Sequence, residues 1–433
     1  MRRIIGLTLL GLIVTGCGDR RDGVTPSKDQ PSAASPPSAV RYTLCNGGLP
    51  DAGNWKCDPL LVDLVGGSPL ELVAFARLGD GPRIWRYAGD CRWEERFAGL
   101  EFEGQKSCGG GLALADVNAD GQADLVVADH CQGLVVYLRD GDGFRVGVRS
   151  LFHEAVVRPG DDKTMYIGVE DVAVGDINGD GHVDLVACSS DSGGIYVYAG
   201  DGSGTNWTWL QTNLPNTGWG NRIALADMNG DGLLDVVCTY NEGPRVWLGD
   251  GRGGFAASSV GLPSPPIYGL FHGLQVRDVN EDGRPDLVIA NWVDGPEVYL
   301  QRQDGAWLKQ PDVFPELLGG AFGVAVGDID RDGHLDLAVT GRRLDPDKVG
   351  FVYGVFILKG NGTGTGWHWL RDTGLPDVGL PFNWGAELAD FDGDGVLDLA
   401  VGSGGIVATS MEYDRPIFKA GLLVWRAQLT DRR

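Results

Sequence analysis

The stretch from Asp176 to Asp184, DINGDGHVD, decides the fold. Asp176, Asn178, Asp180 and Asp184 stand at positions 1, 3, 5 and 9 of it. A short loop closing on itself gathers alternate side chains onto one point, and position 7, His182, adds its backbone carbonyl. A flexible, mostly anionic, all-oxygen donor set suits a hard cation, and Ca2+ fits best. Gly181, after the third ligand, permits the sharp turn over the ion. The apolar runs VAV (172–174) and LVA (185–187) flank the loop, so it joins two short strands.

The unit recurs. Asp116, Asn118, Asp120 and Asp124 form an earlier copy; Asp227, Asn229, Asp231 and Asp235 form the next after the first quoted. Then come Asp278, Asn280, Asp282 and Asp286; Asp328, Asp330, Asp332 and Asp336; and Asp390, Asp392, Asp394 and Asp398. The starts are 60, 51, 51, 50 and 62 residues apart. One copy reads equally well as an Asp- and Gly-rich surface turn, but six in register mean a repeat architecture.

A second marker repeats independently: a Gly, a β-rich run, and an aromatic four residues after the Gly. It occurs at Gly81/Trp85, Gly133/Tyr137, Gly194/Tyr198, Gly243/Trp247, Gly295/Tyr299 and Gly421/Trp425, with Leu358 in the aromatic place after Gly354. Seven markers against six loops leave one loop missing. It lies before Gly81, where Asp63 and Glu71 keep the eight-residue spacing but Val65, Gly67 and Ser68 replace the middle ligands and the Gly. This degenerate copy is not expected to hold a cation. Each repeat reads as inner strand, acidic loop, second strand, aromatic-bearing third strand, Gly-rich turn and fourth strand. The expected fold is therefore all-β, a seven-bladed β-propeller of four-stranded antiparallel blades. The last repeat ends after its third strand, so a spare N-terminal strand at 40–45 is expected to close the ring and remove the open edge.

The acidic loops, the aromatic-Gly before several inner strands (Trp219-Gly220, Phe322-Gly323, Trp384-Gly385) and the seven-fold count resemble the FG-GAP/VCBS repeats. The resemblance spans about residues 40–433. It implies an integrin-α-like propeller with about six structural Ca2+ sites, and is specific for fold and cation, not for function. Such propellers serve in adhesion and ligand binding, and as appendages of lyases and phospholipases. Unlike the integrin pattern, all six loops look competent, and no transmembrane helix is apparent.

Composition agrees. Of 433 residues 69 are Gly, and no long stretch has helical periodicity. The formal charge of −23 argues against nucleic acid or an anionic membrane surface as partner. Twenty of the carboxylates sit in the six loops, so six bound Ca2+ would leave about −11.

Residues 1–16 read as a targeting segment: Arg2 and Arg3, then an apolar run (4–14) too short to span a bilayer. Val14-Thr15-Gly16-Cys17 resembles the lipobox of bacterial lipoproteins. That resemblance implies a lipidated Cys17 and, with Gly18 rather than Asp following, sorting to the outer membrane of the cell envelope. Residues 17–39, rich in Pro and Ser, read as a disordered linker, and 40–433 as the propeller.

In an oxidising compartment the remaining cysteines invite pairing. Cys45 with Cys57, and Cys108 with Cys131, are expected to share one face and look bridgeable, leaving Cys91 over. Cys188 and Cys238 read equally as a facing pair or as buried free thiols. No HExxH, GxSxG or Walker pattern appears, and His130, His153, His272 and His368 are isolated, so no catalytic residue is assigned.

Recognition is expected on the face away from the acidic loops, where the long insertions 153–163, 342–353 and 406–419 fall. Tyr240, Asn291, Trp292, Arg342, Arg343, Tyr413 and Arg415 are the ligand-face candidates, although tryptophans such as Trp219, Trp292 and Trp384 equally suit packing between blades. The reading is a non-catalytic, lipid-anchored, monomeric binding or adhesion module for a protein or glycan. A polysaccharide lyase or other carbohydrate-active enzyme is the first alternative. It would need Lys, Arg, Tyr or His clustered at the propeller axis, and the sequence displays no such cluster. An envelope assembly scaffold is the second.

Overall fold

The computed structural model describes residues 39–430 apart from 103–105, 152–154, 158–163, 167, 190–192, 241–242, 264–270, 312, 315–319, 345–349 and 405–420. Among the described residues there is no helix; seven four-stranded antiparallel sheets form the blades of a β-propeller. Blade 3 shows the plan: Val169–Gly175 is innermost, followed by Asp184–Ser189, Gly194–Gly200 and Trp207–Leu210 in sheet order. The inner strands of the other blades are Leu60–Val62 (blade 1), Gly110–Ala115, Arg222–Ala226, Phe271–Arg277, Ala321–Gly327 and Asn383–Ala389 (blade 7). Neighbouring inner strands touch from blade 2 round to blade 7, and those of blades 7 and 1 do as well. A separate hairpin pairs Ala155–Val157 with Thr164–Tyr166.

The second strands explain the short apolar runs of the sequence. Each lies between two adjacent blades, so both of its faces are covered and it need not alternate with polar residues. Leu185, Val186, Ala187 and Cys188 are all buried, as are Leu125 through Ala128. The third-strand markers fill the wedge between blades: Trp85, Tyr137, Tyr299, Leu358 and Trp425 are almost wholly enclosed.

Ala39–Leu44 closes the ring as the outer strand of blade 7. It pairs with Leu422–Thr430, from Ala39 opposite Thr430 to Leu44 opposite Trp425. The pairing engages the end of Leu422–Thr430 nearest the acidic loops, not its start, and this corrects the cysteine assignment. The closing strand ends on the acidic-loop side of the blade, so Cys45 meets the outer turn of blade 1. There Gly47 N–H donates to the Cys91 carbonyl at 3.0 Å. The disulfides are Cys45–Cys91 and Cys108–Cys131; Cys57 is a buried free thiol. Burial pushes the Cys57 thiol up to about 12. Cys188 and Cys238 combine both readings: they face each other, buried and unbridged, under Gly220. The targeting segment with Cys17, and His153, Tyr413, Arg415 and residues 406–419, lie outside the described residues or in their gaps.

Candidate functional site

The six acidic loops share one hydrogen-bonded skeleton. In blade 4, Asp227 Oδ1 accepts the Asp231 N–H at 3.1 Å and its Oδ2 accepts the Gly232 N–H at 2.8 Å. Asp231 Oδ1 accepts the Leu233 N–H at 2.8 Å. Blades 2, 3, 5, 6 and 7 repeat these contacts. Positions 4 and 6 are left-handed in every loop, position 6 always as Gly. At position 4, Ala119, Glu281 and Arg331 take that backbone as well, so residue type hides the constraint.

Position 9 does more than a ligand needs to. Asp124, Asp184, Asp235, Asp286, Asp336 and Asp398 are 0% exposed. One oxygen of each accepts the backbone N–H of position 2, and the other accepts an N–H of the third strand or, in blade 6, that of Gly360 directly after it. Asp235, for example, holds Met228 N and Gly249 N, both at 2.7 Å. The buried acid therefore clamps loop to blade. Burial raises its carboxyl: Asp124 to about 6, Asp286 and Asp336 to about 7, and Asp398 to about 8. A carboxylate so placed is favoured in its charged form by a cation beside it. All side-chain donors are hard oxygens, and Asp328, Asp330 and Asp332 already converge, as do Asp390, Asp392 and Asp398. This donor set fits a hard divalent cation.

The residue after the third-strand marker, which faces position 9 across the sheet, varies with the loop. It is Leu138, Ala199, Leu248 and Leu300 in blades 2 to 5, whose loops carry Asn at position 3. In blades 6 and 7 position 3 is Asp330 or Asp392, and the facing residue is basic. Lys359 pairs with Asp330 and Asp332, and Arg426 Nε lies 2.6 Å from Asp392. In blade 1, Arg86 Nε stands 3.5 Å from Glu71. That degenerate loop keeps part of the skeleton, with Leu64 N–H on Glu71 and Gly66 and Gly67 N–H on Asp63, and lacks the position 5 carboxylate that accepts from position 7.

At the opposite face the ring axis opens in a mouth, and here the sequence reading needs correction. A charged cluster does surround the axis. Its members are far apart in sequence and converge only when the ring closes. Arg222 of blade 4 reaches Asp58 of blade 1 across the axis, with Nε to Oδ2 at 2.8 Å. Lys56 Nζ lies 2.7 Å from Glu170, and His130 Nδ1 lies 3.3 Å from the other Glu170 oxygen. Burial would raise the Glu170 carboxyl, but Lys56 and His130 outweigh it and hold it well below the usual range. Burial would lower Arg222, yet Asp58, Asp171 and Glu170 hold it above its ordinary value.

Four inner strands skip a residue in register at this end. The skipped residues are Glu170 in blade 3, His272 in blade 5, Phe322 in blade 6 and Trp384, with Gly385, in blade 7. Such bulges re-aim side chains and gather at functional sites.

The sequence profile of the FG-GAP-like repeat matches residues 116–187, 176–238, 227–289 and 278–339, together more than half of the chain. The chain belongs to the FG-GAP-like repeat family. Human cartilage acidic protein 1 is 24% identical over 204 residues, 45% of this chain and 30% of that protein. Human integrin alpha-IIb is 30% identical over 245 residues, 47% of this chain and 22% of the integrin. The chain thus spans less than a third of the length of these relatives. A solved Agrocybe aegerita structure, described as recognising non-reducing terminal N-acetylglucosamine, aligns with TM-score 0.49 and 17% identity over 80% of this chain and 94% of that one.

On this FG-GAP-like propeller the ligand-face candidates separate. Asn291 is buried, with its amide on Glu297 at 3.0 Å and its Oδ1 accepting Val293 N–H, so it is a turn anchor rather than a surface group. Tyr240 is half-buried against Trp247 and donates its hydroxyl to the Thr217 carbonyl. Arg343 pairs with Asp377 at 3.3 Å. Trp292 sits edge-on to His272 at 5.1 Å and to Phe322 at 5.5 Å, and the Arg342 guanidinium lies over Trp292, Phe322 and Phe351. Of the candidates in the described residues, Trp292 and Arg342 border the axial mouth.

Proposed function

We propose that this FG-GAP-like propeller is a non-catalytic, lipid-anchored binding module of a bacterial envelope, stabilised by Ca2+ in six loops. It would hold a protein or glycan on the face opposite those loops. The observation that carries the reading is the set of four bulges. They put Glu170, His272, Phe322 and Trp384 out of register at the end of the ring not committed to acidic loops, with Phe322 enclosed and Trp384 partly exposed. A closed, rigid ring carrying varied side chains at one end is a surface for recognition.

Charge supports the cation count. At positions 1, 3, 5 and 9 the loops of blades 2 to 5 carry a formal −3. Those of blades 6 and 7 carry −4, offset to −3 by Lys359 or Arg426. A divalent cation brings five of the six to −1, and the blade 5 loop, where Arg284 also pairs with Asp282, to neutrality. Blade 1, with Asp63, Glu71 and Arg86, stands at −1 without one.

A screen of the immobilised chain against glycans and envelope proteins tests the face. Combining Trp292→Ala with Arg342→Ala is expected to weaken capture at least tenfold, while Arg252→Ala with Arg302→Ala, on acidic-face turns, leaves it unchanged. The reverse pattern would refute the reading. The anchor is tested separately by Cys17→Ser, which is expected to move the chain from the membrane fraction to the soluble one. Among the described residues no helix is long and apolar enough to cross a membrane, so continued sedimentation with membranes would overturn the lipid attachment.

A second reading, a lyase acting on acidic polysaccharide, draws on Lys56, His130 and Arg222 at the mouth. Lys56 and Arg222 are each committed to a carboxylate, which weakens it. Release of unsaturated uronate ends from polygalacturonate or alginate by the purified chain would establish it over the binding reading.

A further inference from the structure

The mouth is divided in two. Blades 1, 3 and 4 supply charged groups: Lys56 with Glu170 and Arg222 with Asp58. Blades 5, 6 and 7 supply the rings of His272 and Trp384, backed by the enclosed Phe322, with Phe382 packed between Phe322 and Trp384 at 4.4 Å and 4.7 Å. The two halves meet where Lys56 Nζ stands 5.8 Å from the centre of the Trp384 ring. The charged half remains open to solvent, since the Asp58 side chain is 37% exposed and that of Lys56 21%.

Each of these four charges has its counter-charge within hydrogen-bonding distance, and the neighbouring carboxyls Asp171 and Glu387 are raised by burial to about 7 and about 8, so the charged half offers ordered donors and acceptors with little net attraction for an anion. A free ion would have to break a pair made across the axis. Burial lowers His272 to about 4, so this ring is neutral as well, and its buried Nε2 has no hydrogen-bond partner among the described residues. The arrangement demands a ligand with one apolar face and an edge of neutral hydroxyls. A pyranose ring has both: its C–H face stacks on an aromatic ring while its hydroxyls meet charged donors and acceptors.

We infer that the axial mouth is a binding site for a neutral saccharide, stacked on the Trp384 side and hydrogen-bonded by the Lys56–Glu170 and Arg222–Asp58 pairs. This rests on the proposed recognition face and narrows it to one place and one ligand class. Two pairs spanning blades 1 to 3 and 1 to 4 also mean that the site exists only in the closed ring.

Saturation-transfer NMR on the full-length chain tests it, with cellotetraose, maltotetraose and mannotetraose as neutral probes and tetragalacturonate as the anionic one. At least one neutral tetraose is expected to receive saturation on its ring C–H protons. Trp384→Ala and Lys56→Met are each expected to cut its affinity at least tenfold. Lys56→Met retains the packed stem and guards against a folding failure of the tryptophan variant. Saturation of tetragalacturonate alone overturns the inference, as does saturation of none of the four. Neutral binding untouched by both substitutions overturns the axial site; if Trp292→Ala with Arg342→Ala then abolishes it, the recognition face stands and only its placement at the axis falls.

Discussion

Stripping divalent cations from this chain is expected to abolish its cooperative melting near ambient temperature. Each loop holds at least three carboxylates whose mutual repulsion a bound cation relieves. Binding to the folded state alone stabilises by about 2.7 kcal/mol per site when the ion is at a hundredfold its dissociation constant. Six such sites would outweigh the ~5–15 kcal/mol net stability typical of a domain. Calorimetry in Ca2+ and in excess chelator measures this directly, and Ca2+ is expected to restore the transition at lower concentration than Mg2+, which dehydrates reluctantly and demands a stricter geometry. A transition that chelator leaves in place would refute the structural role of the cations.

The second large effect separates the clamp from the ligand set. Asp235→Ala removes the acceptor for Met228 N–H and Gly249 N–H, both inside the blade. Leaving a buried donor unsatisfied costs about 1–3 kcal/mol, so the variant is expected to lose about 2–6 kcal/mol. The loss should persist in chelator, because those two hydrogen bonds do not involve a metal. Asp231→Ala is the contrast. Asp231 is exposed and contributes chiefly as a ligand, so its cost should fall to within about 0.5 kcal/mol once the ion is gone. Denaturant titration of both variants with and without chelator decides it. Equal costs in chelator would mean that position 9 is no clamp.

The blades were readable because two signals with different causes agree. The acidic loops report cation chemistry, and the Gly/aromatic marker reports wedge packing between blades; both give one period. A third signal lay in the same rows. The residue after the marker is basic at Arg86, Lys359 and Arg426, in the three blades whose loops depart from the Asp-Asn-Asp-Asp set. It became meaningful only once the register set it opposite position 9. The axial mouth was not readable. Asp58 and Arg222 are 164 residues apart and belong to different repeats. Of the bulge residues, Phe322 and Trp384 carry the aromatic-Gly motif, His272 has only the Gly after it and Glu170 has neither, so the motif marks two of the four and says nothing of what they face. Cys45 was assigned to the wrong partner because its height depends on which half of Leu422–Thr430 the closing strand covers.

The closing strand also has a mechanical meaning. Ala39 enters at the acidic-loop side, opposite Thr430, and the strand runs along the blade to Leu44. Tension between residue 39 and a ligand on the far face therefore acts along the strand, and the six paired positions bear the load together in shear instead of unzipping one by one. Should the strand slip free, the pull passes to Cys45 and stops at its covalent bond to Cys91 in blade 1. Blade 7 would lose its outer strand while blade 1 remained tethered, so the first failure under load lies at the ring's seam and the covalent stop lies immediately behind it.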